Sequence, residues 1–214
     1  MTLTVANAHC VRAELDGTLL ARQGAMVAYR GDLTIATRGQ GVRKLLKRAV
    51  TGEGLALMEV AGRGEIWLAD LAKRVAIVET PLSVAGKCVL CFEASVGYEI
   101  SRIKGAGMAG GGLFNTTFAG GGQVAICADG ELLSIPVAPD APLYVDTDAV
   151  VGWSTGLETS IHRSESARSL LKGGSGEAYQ LVLSGTGVAL VQPSEGPILP
   201  KKDGAGELIE DLLS

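Results

Sequence analysis

Histidine, aromatic residues and long apolar runs are scarce in this chain of 214 residues. Only two histidines are present, His9 and His162, so the sequence lacks the histidine cluster that a catalytic metal site on a β-barrel needs. No apolar run reaches the roughly 18 residues of a membrane-spanning helix. Aromatic residues make up 4% of the chain and glycines number 30, which predicts a core of small aliphatic side chains and many turns.

The charge balance is slightly acidic, with 19 basic and 23 acidic residues and a net charge of −4. Such a charge does not draw a protein onto nucleic acid or an anionic membrane, so either partner would require a local basic patch. The first ten residues lack a positively charged segment followed by an apolar one, and we expect a cytoplasmic protein.

Four cysteines in a chain without an export signal predict reduced thiols. Cys88 and Cys91 have the spacing of a metal knuckle, but they lie in an apolar segment typical of a strand. Positions i and i+3 of a strand point to opposite faces, and the sequence has no second cysteine pair. We therefore predict buried free thiols and no metal site.

Apolar segments separated by glycines dominate the chain. Residues 111–130 hold two such segments joined by glycines at 120–122, a pattern typical of a β-hairpin. Residues 55–68 and 179–191 repeat this pattern, so three hairpins are predicted. Residues 11–36 predict a strand, a turn and a second strand, whereas residues 41–50 are rich in helix formers and predict a short basic helix.

The glycines of the three predicted hairpins are similarly spaced. In each hairpin a glycine precedes the first strand, and another closes the turn 12, 12 and 11 residues later. The pairs are Gly52 with Gly64, Gly110 with Gly122, and Gly176 with Gly187. This spacing predicts three similar β-repeats about a pseudo-threefold axis, at about residues 11–80, 81–140 and 141–198, followed by an acidic tail at 199–214.

Some strands are apolar on both faces. Val124 and Ile126 lie on one side of the segment at 123–128, and Ala125 and Cys127 lie on the other. A sheet with one face in water would alternate apolar and polar residues. Either two sheets stack within the chain or one face packs on another subunit, and the second alternative predicts a homo-oligomer.

Five segments resemble the altered-inheritance-of-mitochondria protein 24 family, whose domain is similar to that of the tryptophan RNA-binding attenuator protein (TRAP). They are Met26–Tyr29, Gly110–Phe114, Gly122–Ile126, Val150–Trp153 and Gly174–Leu181. The resemblance implies one TRAP-like all-β domain over residues 1–198. Its implied fold is a double-stranded β-helix or β-prism-like barrel of three internal β-repeats with few short helical turns. It also implies assembly into a trimer or a multiple of three, and it carries over no catalytic residue.

Basic residues lie on the connectors between the predicted strands. If a threefold axis relates the repeats, these connectors cluster at one rim and form a positive ring. Such a ring could hold RNA phosphates or anionic lipid headgroups; the alternative is a set of solvated charges. The candidate anion-binding residues are Arg43, Lys44, Lys47, Arg48, Arg102, Lys104, Arg168 and Lys172.

Catalytic constellations are weak in this sequence. His162 follows Asp146 and Asp148, but no G-x-S-x-G motif supports a hydrolase triad, and the aspartates fit turns. Glu53 and Glu177 occupy matching places in the first and third repeats, where carboxylates commonly face water. We therefore expect no enzymatic activity and no cofactor.

Two functions follow from these observations. The first is a non-enzymatic, self-associating β-protein that acts as a scaffold or binding platform. The alternative is a small-ligand- or RNA-binding regulator resembling the attenuator protein, with its ligand between adjacent β-units. The regulator would acquire a small molecule or RNA, and the scaffold would not.

Overall fold

The computed structural model describes residues 1–37, 55–103, 114–163 and 179–194. Within these ranges the chain forms sixteen strands and one short 3-10 helix, Gly86–Cys88. The predicted all-β class is confirmed. The strands are β1 (Thr2–Asn7), β2 (Cys10–Arg22), β3 (Met26–Thr37), β4 (Leu57–Leu68), β5 (Arg74–Glu79), β6 (Leu82–Ala85), β7 (Val89–Glu93), β8 (Gly97–Arg102), β9 (Phe114–Ala119), β10 (Gln123–Ala128), β11 (Leu133–Val137), β12 (Leu143–Asp146), β13 (Val150–Trp153), β14 (Glu158–Arg163), β15 (Tyr179–Ser184) and β16 (Gly187–Val191).

The described strands form three antiparallel sheets. The first has the order β3-β4-β2-β7-β10-β5, and β1 also pairs with β2. The second has the order β11-β16-β13-β6-β9-β8, and the third has the order β12-β15-β14. Each sheet has an unpaired edge strand at either end of its order, so the described sheets are open. They do not close into the barrel that the resemblance implied. No helix in the described ranges is long and apolar enough to span a membrane.

Three clusters of buried apolar side chains separate the sheets into layers. The first core lies on one face of the first sheet and includes Val11, Val60, Ile66 and Leu68. The second core joins the other face of that sheet to the second sheet, and its members include Leu20, Phe92, Val124, Val84 and Phe118. The third core joins the second sheet to the third, and its members include Val150, Trp153, Leu181 and Leu183.

Stacking within the chain explains why β10 is apolar on both faces. Val124 and Ile126 belong to the second core, whereas Ala125 belongs to the first, and all three are fully buried. The second sheet covers the face with Val124 and Ile126, and other strands of the first sheet, including β2 and β4, cover the face with Ala125. Both faces of this strand are therefore buried within the chain. A subunit interface, if present, lies elsewhere on the molecule.

The predicted first hairpin, at residues 55–68, is wrong. These residues contain the single continuous strand β4, which pairs with β2 from Leu57 opposite Arg22 to Leu68 opposite Val11. Gly62 and Gly64 lie inside the strand and face β3. A Cβ at Gly64 would collide with the Arg30 carbonyl oxygen, so glycine lets the two backbones approach closely here.

The other two predicted hairpins contain the expected strands but not the expected pairing. β9 belongs to the second sheet and β10 to the first, so the turn at 120–122 carries the chain from one sheet to the other. β15 and β16 likewise lie in the third and second sheets. The predicted strand, turn and strand at 11–36 is confirmed as β2, a turn with Gly24 at φ +81°, and β3. The threefold repeat stays a prediction, and the predicted helix at 41–50 and the tail at 199–214 lie outside the described residues.

Replacing Gly64 with alanine should destabilise the fold by roughly 1–3 kcal/mol, because the added methyl group meets the backbone of β3 rather than a flexible side chain. The matched control is Gly121→Ala, at a position with nothing within 4 Å of the added Cβ. Urea unfolding followed by circular dichroism measures both variants. Equal unfolding midpoints for the two variants would contradict the close approach of β3 and β4.

Candidate functional site

Charged side chains cover the solvent face of β2, β4 and β3, and we call this set the charge ladder. Charges recur at every second position of each strand, which places them on one face because side chains alternate. The register aligns Glu14 with Glu65 and Arg30, and Asp16 with Arg63 and Asp32. The ladder consists of Arg12, Glu14 and Asp16 on β2, Arg63 and Glu65 on β4, and Arg30 and Asp32 on β3.

Glu65 is the most enclosed member of the charge ladder, with 15% of its side chain exposed. Arg12 Nε donates a hydrogen bond to Glu65 Oε1 at 2.7 Å, and Arg30 Nε donates to Oε2. The Arg30 guanidinium also lies over the Trp67 ring, 5.6 Å from its centroid. The hydrogen bond from Arg30 holds the pKa of the Glu65 carboxyl below its usual value, against the opposing effect of desolvation. The Glu65 carboxylate on β4 therefore links that strand to β2 and β3 through hydrogen bonds from two arginines.

Asp16 and Arg63 form a second contact in the charge ladder. Arg63 Nη2 donates to Asp16 Oδ2 at 2.9 Å, and both side chains are largely exposed. An exposed pair of this kind contributes little stability. Arg63 also lies opposite Asp32 in the register of β4 and β3. Charges therefore alternate in sign along this row, and Asp32 brings the row to the edge of the sheet.

β3 is the longest edge strand in the described part of the chain. It has 12 residues and pairs there only with β4, whereas the other edge strands have four to six residues. Short edges offer few free backbone groups to another strand, and β11 is further blunted by Pro136. β3 contains no proline and no lysine. No other strand of the described ranges pairs with the second side of β3, so among these residues that side offers a template for another strand.

Apolar side chains at the start of β3 are open to solvent. Met26, Val27 and Tyr29 are 41%, 63% and 50% exposed. Further along the strand, Leu33 and Ile35 are partly buried and pack against the first core. The edge thus joins an exposed apolar patch to the interior of the molecule, a combination typical of an interaction surface.

The structure describes only one of the predicted anion-binding residues. Arg102, at the end of β8, is exposed, and its guanidinium lies 5.9 Å from the centroid of the Phe114 ring. The other seven residues lie outside the described ranges: Arg43, Lys44, Lys47, Arg48, Lys104, Arg168 and Lys172. The basic rim therefore stays a prediction.

The cysteines are free thiols, as predicted. Cys91 lies on β7, but Cys88 lies in the 3-10 helix and not in the strand that the sequence predicted for both. Cys88 belongs to the second core and Cys91 to the first. Burial raises the pKa of the Cys91 thiol far above its usual value and that of Cys127 to about 12. Thiols held in the protonated form are poor nucleophiles and poor metal ligands.

Asp146, considered above for a hydrolase triad, and Asn115, which begins an N-x-T sequence, both make structural hydrogen bonds. Asp146 Oδ1 accepts a hydrogen bond from the Asp148 backbone N–H at 2.7 Å, the turn role that the sequence suggested. Asn115 is buried on the second sheet. Its Nδ2 donates to Thr117, and its Oδ1 accepts from Ser101. The paired glutamates Glu53 and Glu177 lie outside the described residues.

The charge ladder and the β3 edge were not predicted from the sequence. The charges do follow a visible pattern, since Arg12-x-Glu14-x-Asp16, Arg30-x-Asp32 and Arg63-x-Glu65 each place charges two residues apart. That spacing indicates a solvated strand face, but the partners of each strand fix which charges meet. Because residues 55–68 were interpreted as a hairpin, Arg63 and Glu65 were not recognised as part of one continuous strand face.

The layered all-β fold is shared with known proteins. The family described as mitochondrial biogenesis AIM24 matches residues 2–194. The chain belongs to this family. An X-ray crystal structure of a Streptococcus pyogenes protein is similar to this AIM24 family member in fold, with a TM-score of 0.71 and 21% sequence identity over 90% of this chain and 92% of that one. No curated protein matches the chain.

Glu65→Gln should lower the free energy of unfolding at pH 7, because a neutral amide replaces the anion that both arginines contact. The contribution of a carboxylate with a lowered pKa is complete above its usual value of 4.5 and is lost as the pH falls through its folded-state value. The stability difference between variant and wild type should therefore narrow below pH 4.5. Urea titrations across this pH range measure it. A difference that does not depend on pH would exclude the proposed charge effect.

In the folded protein Cys10 should react with a thiol reagent well before the other three cysteines, because it alone is partly exposed. All four should react in denaturant. The raised thiol pKa values also mean that the folded chain holds protons that the unfolded chain loses above pH 9, so stability should fall between pH 9 and 12. Mass spectrometry after alkylation measures the first effect and unfolding titrations the second. Rapid labelling of Cys91 in the native state would contradict the burial.

Proposed function

We propose that this AIM24 family protein is a non-enzymatic scaffold that associates with further copies of itself through the β3 edge. The observation that carries this proposal is a 12-residue edge strand with three exposed apolar side chains at its start. Free backbone groups and apolar surface coincide nowhere else on so long a described edge.

The physics of sheet edges supports self-association at this position. An unpaired edge presents a row of N–H and C=O groups that another strand can satisfy, and natural proteins commonly blunt long edges with lysine, proline or bulges. The pairing of β3 with β4 has one register shift, between Met26 and Ala28, and keeps its register from Ala28 to Thr37 across Gly31, whose φ is +101°. A second strand would also cover Tyr29 and extend the first core, where Leu33 and Ile35 already pack.

Charge pairing within the ladder supports a structural rather than a catalytic role. Glu65 contacts Arg12 and Arg30, so its carboxylate is held by two cations. Within the described residues, no three His, Cys, Asp or Glu side chains are placed to hold a metal ion. The Glu65 carboxylate thus stabilises the surface formed by β2, β4 and β3.

The assembly size, the cellular location and the alternative function remain predictions. A trimer or a multiple of three is what the resemblance implies, and a cytoplasmic location is an expectation. The alternative function places its ligand between adjacent β-units, and RNA binding would use basic connectors that lie mostly outside the described residues. An RNA or a small molecule retained by the purified protein would favour that alternative.

The double variant Val27→Lys/Tyr29→Lys should shift the assembly toward monomer, because it places charges on the exposed edge. Native mass spectrometry of gently purified protein measures the assembly in multiples of the 22.0 kDa chain. The matched control is Leu71→Lys, which changes a 91% exposed leucine in a turn outside the strands. The control should assemble like the wild type.

Two results would count against the scaffold. A wild-type protein that stays monomeric at high micromolar concentration has no self-association to explain. If the double variant and the control form assemblies of the same mass, the interface does not lie at β3. Circular dichroism of each variant excludes unfolding as the cause of any loss.

A further inference from the structure

We propose that two copies of the chain join through antiparallel β3 strands about a two-fold axis at Gly31, so that Arg30 of each copy faces Asp32 of the other. The inference rests on the proposed self-association and specifies its geometry. It concerns one contact, which gives a dimer by itself and which a hexamer, though not a trimer, can contain.

Symmetry limits the registers that β3 can adopt with its own copy. Two identical antiparallel strands in one continuous sheet are related by a two-fold axis perpendicular to that sheet, so equivalent faces stay on the same side. Directly opposite residues then come from the same face of β3. Even-numbered residues such as Arg30 and Asp32 therefore face even-numbered residues, and odd-numbered residues face odd-numbered ones.

Charge then selects among the remaining registers. An axis at Arg30 places two arginines directly opposite each other, and an axis at Asp32 does the same with two aspartates. Like charges directly opposite are destabilising, whereas opposite charges stabilise the pair. An axis at Gly31 pairs Arg30 with Asp32 twice, once on each side of the axis. Moving the axis to Tyr29 or Leu33 loses both of these pairs.

Positive and negative side chains of the charge ladder continue to alternate across this axis. Within one copy Asp16 contacts Arg63, and Arg63 lies opposite Asp32 at the edge. The next position belongs to Arg30 of the second copy, which contacts its own Glu65. Arg30 has 72% of its side chain exposed, and Asp32 is exposed on the same face, so both are accessible to a second copy.

The opposite face of the sheet fits the same register. An axis at Gly31 places Tyr29 of one copy opposite Leu33 of the other, which joins an exposed aromatic ring to a side chain at the border of the first core. The two glycines at the axis add no side chain between the strands. The register thus pairs apolar with apolar on one face and opposite charges on the other.

Charge reversal tests the register. The single variants Arg30→Glu and Asp32→Lys each place like charges opposite one another in a homodimer, and each should weaken association about tenfold. Mixing the two variants restores both opposite-charge pairs and should restore wild-type affinity in a mixed dimer. Sedimentation velocity with one variant fluorescently labelled measures this. The control is Asp16→Lys, which reverses an exposed charge two strands from the edge.

Cysteine cross-linking provides a second measurement that does not depend on affinity. The proposed register places Ala28 opposite Thr34 of the second copy, and both residues are exposed. Ala28→Cys and Thr34→Cys variants should form an intermolecular disulfide when mixed and should form little when kept apart. The native cysteines are common to every sample, so they do not produce this difference.

The outcomes separate this inference from the proposed function. Restored association and selective cross-linking in the mixtures support the register. If the wild type and both charge-reversal variants self-associate with equal affinity, the register is overturned and the scaffold proposal stands. A monomeric wild-type protein that forms no cross-link in any mixture overturns both.

Discussion

The pairing of β2 with β4 runs over twelve consecutive residues, from Val11 opposite Leu68 to Arg22 opposite Leu57, and much of the molecule depends on its register. Because side chains alternate, this register sends Val11 and Ala13 into the first core and Arg12 and Glu14 to solvent. A slip by one residue would exchange the two sets and bury the charges.

Arg22, at the end of β2, contacts the segment that links β6 of the second sheet to β7 of the first. The Arg22 guanidinium donates hydrogen bonds to the Val89 and Gly86 carbonyl oxygens, each at 2.9 Å, at the border of the second core. The register therefore fixes the charged surface of the first sheet and places Arg22 beside the 3-10 helix through which the chain enters that sheet from the second. A long, uninterrupted β4 is what makes this possible.

Strands were predictable from the sequence because apolar, β-branched segments between glycines have few other stable uses. Their partners were not. Gly62 and Gly64 resemble turn glycines locally, but the close approach of β3 gives them a different role inside β4. Gly120 and Gly122 do form a turn, yet Phe118 and Val124 on either side of it pack into one core from two different sheets. Such pairing depends on contacts between residues distant in sequence, which a local pattern does not contain. For the same reason the charged residues were visible but their contacts were not.

The path of the chain between the sheets has a consequence for how this protein unfolds. Successive strands repeatedly change sheet, as in β5 to β6, β7 to β8 and β9 to β10, so no sheet is built from one continuous stretch of sequence. Unfolding of one sheet therefore displaces strands of the adjacent sheet, to which its strands are connected, and exposes the core between the two. The described layers should therefore melt as one cooperative unit rather than peel away in turn, and forming them requires many distant segments to meet at once, as is typical of slowly folding β-proteins.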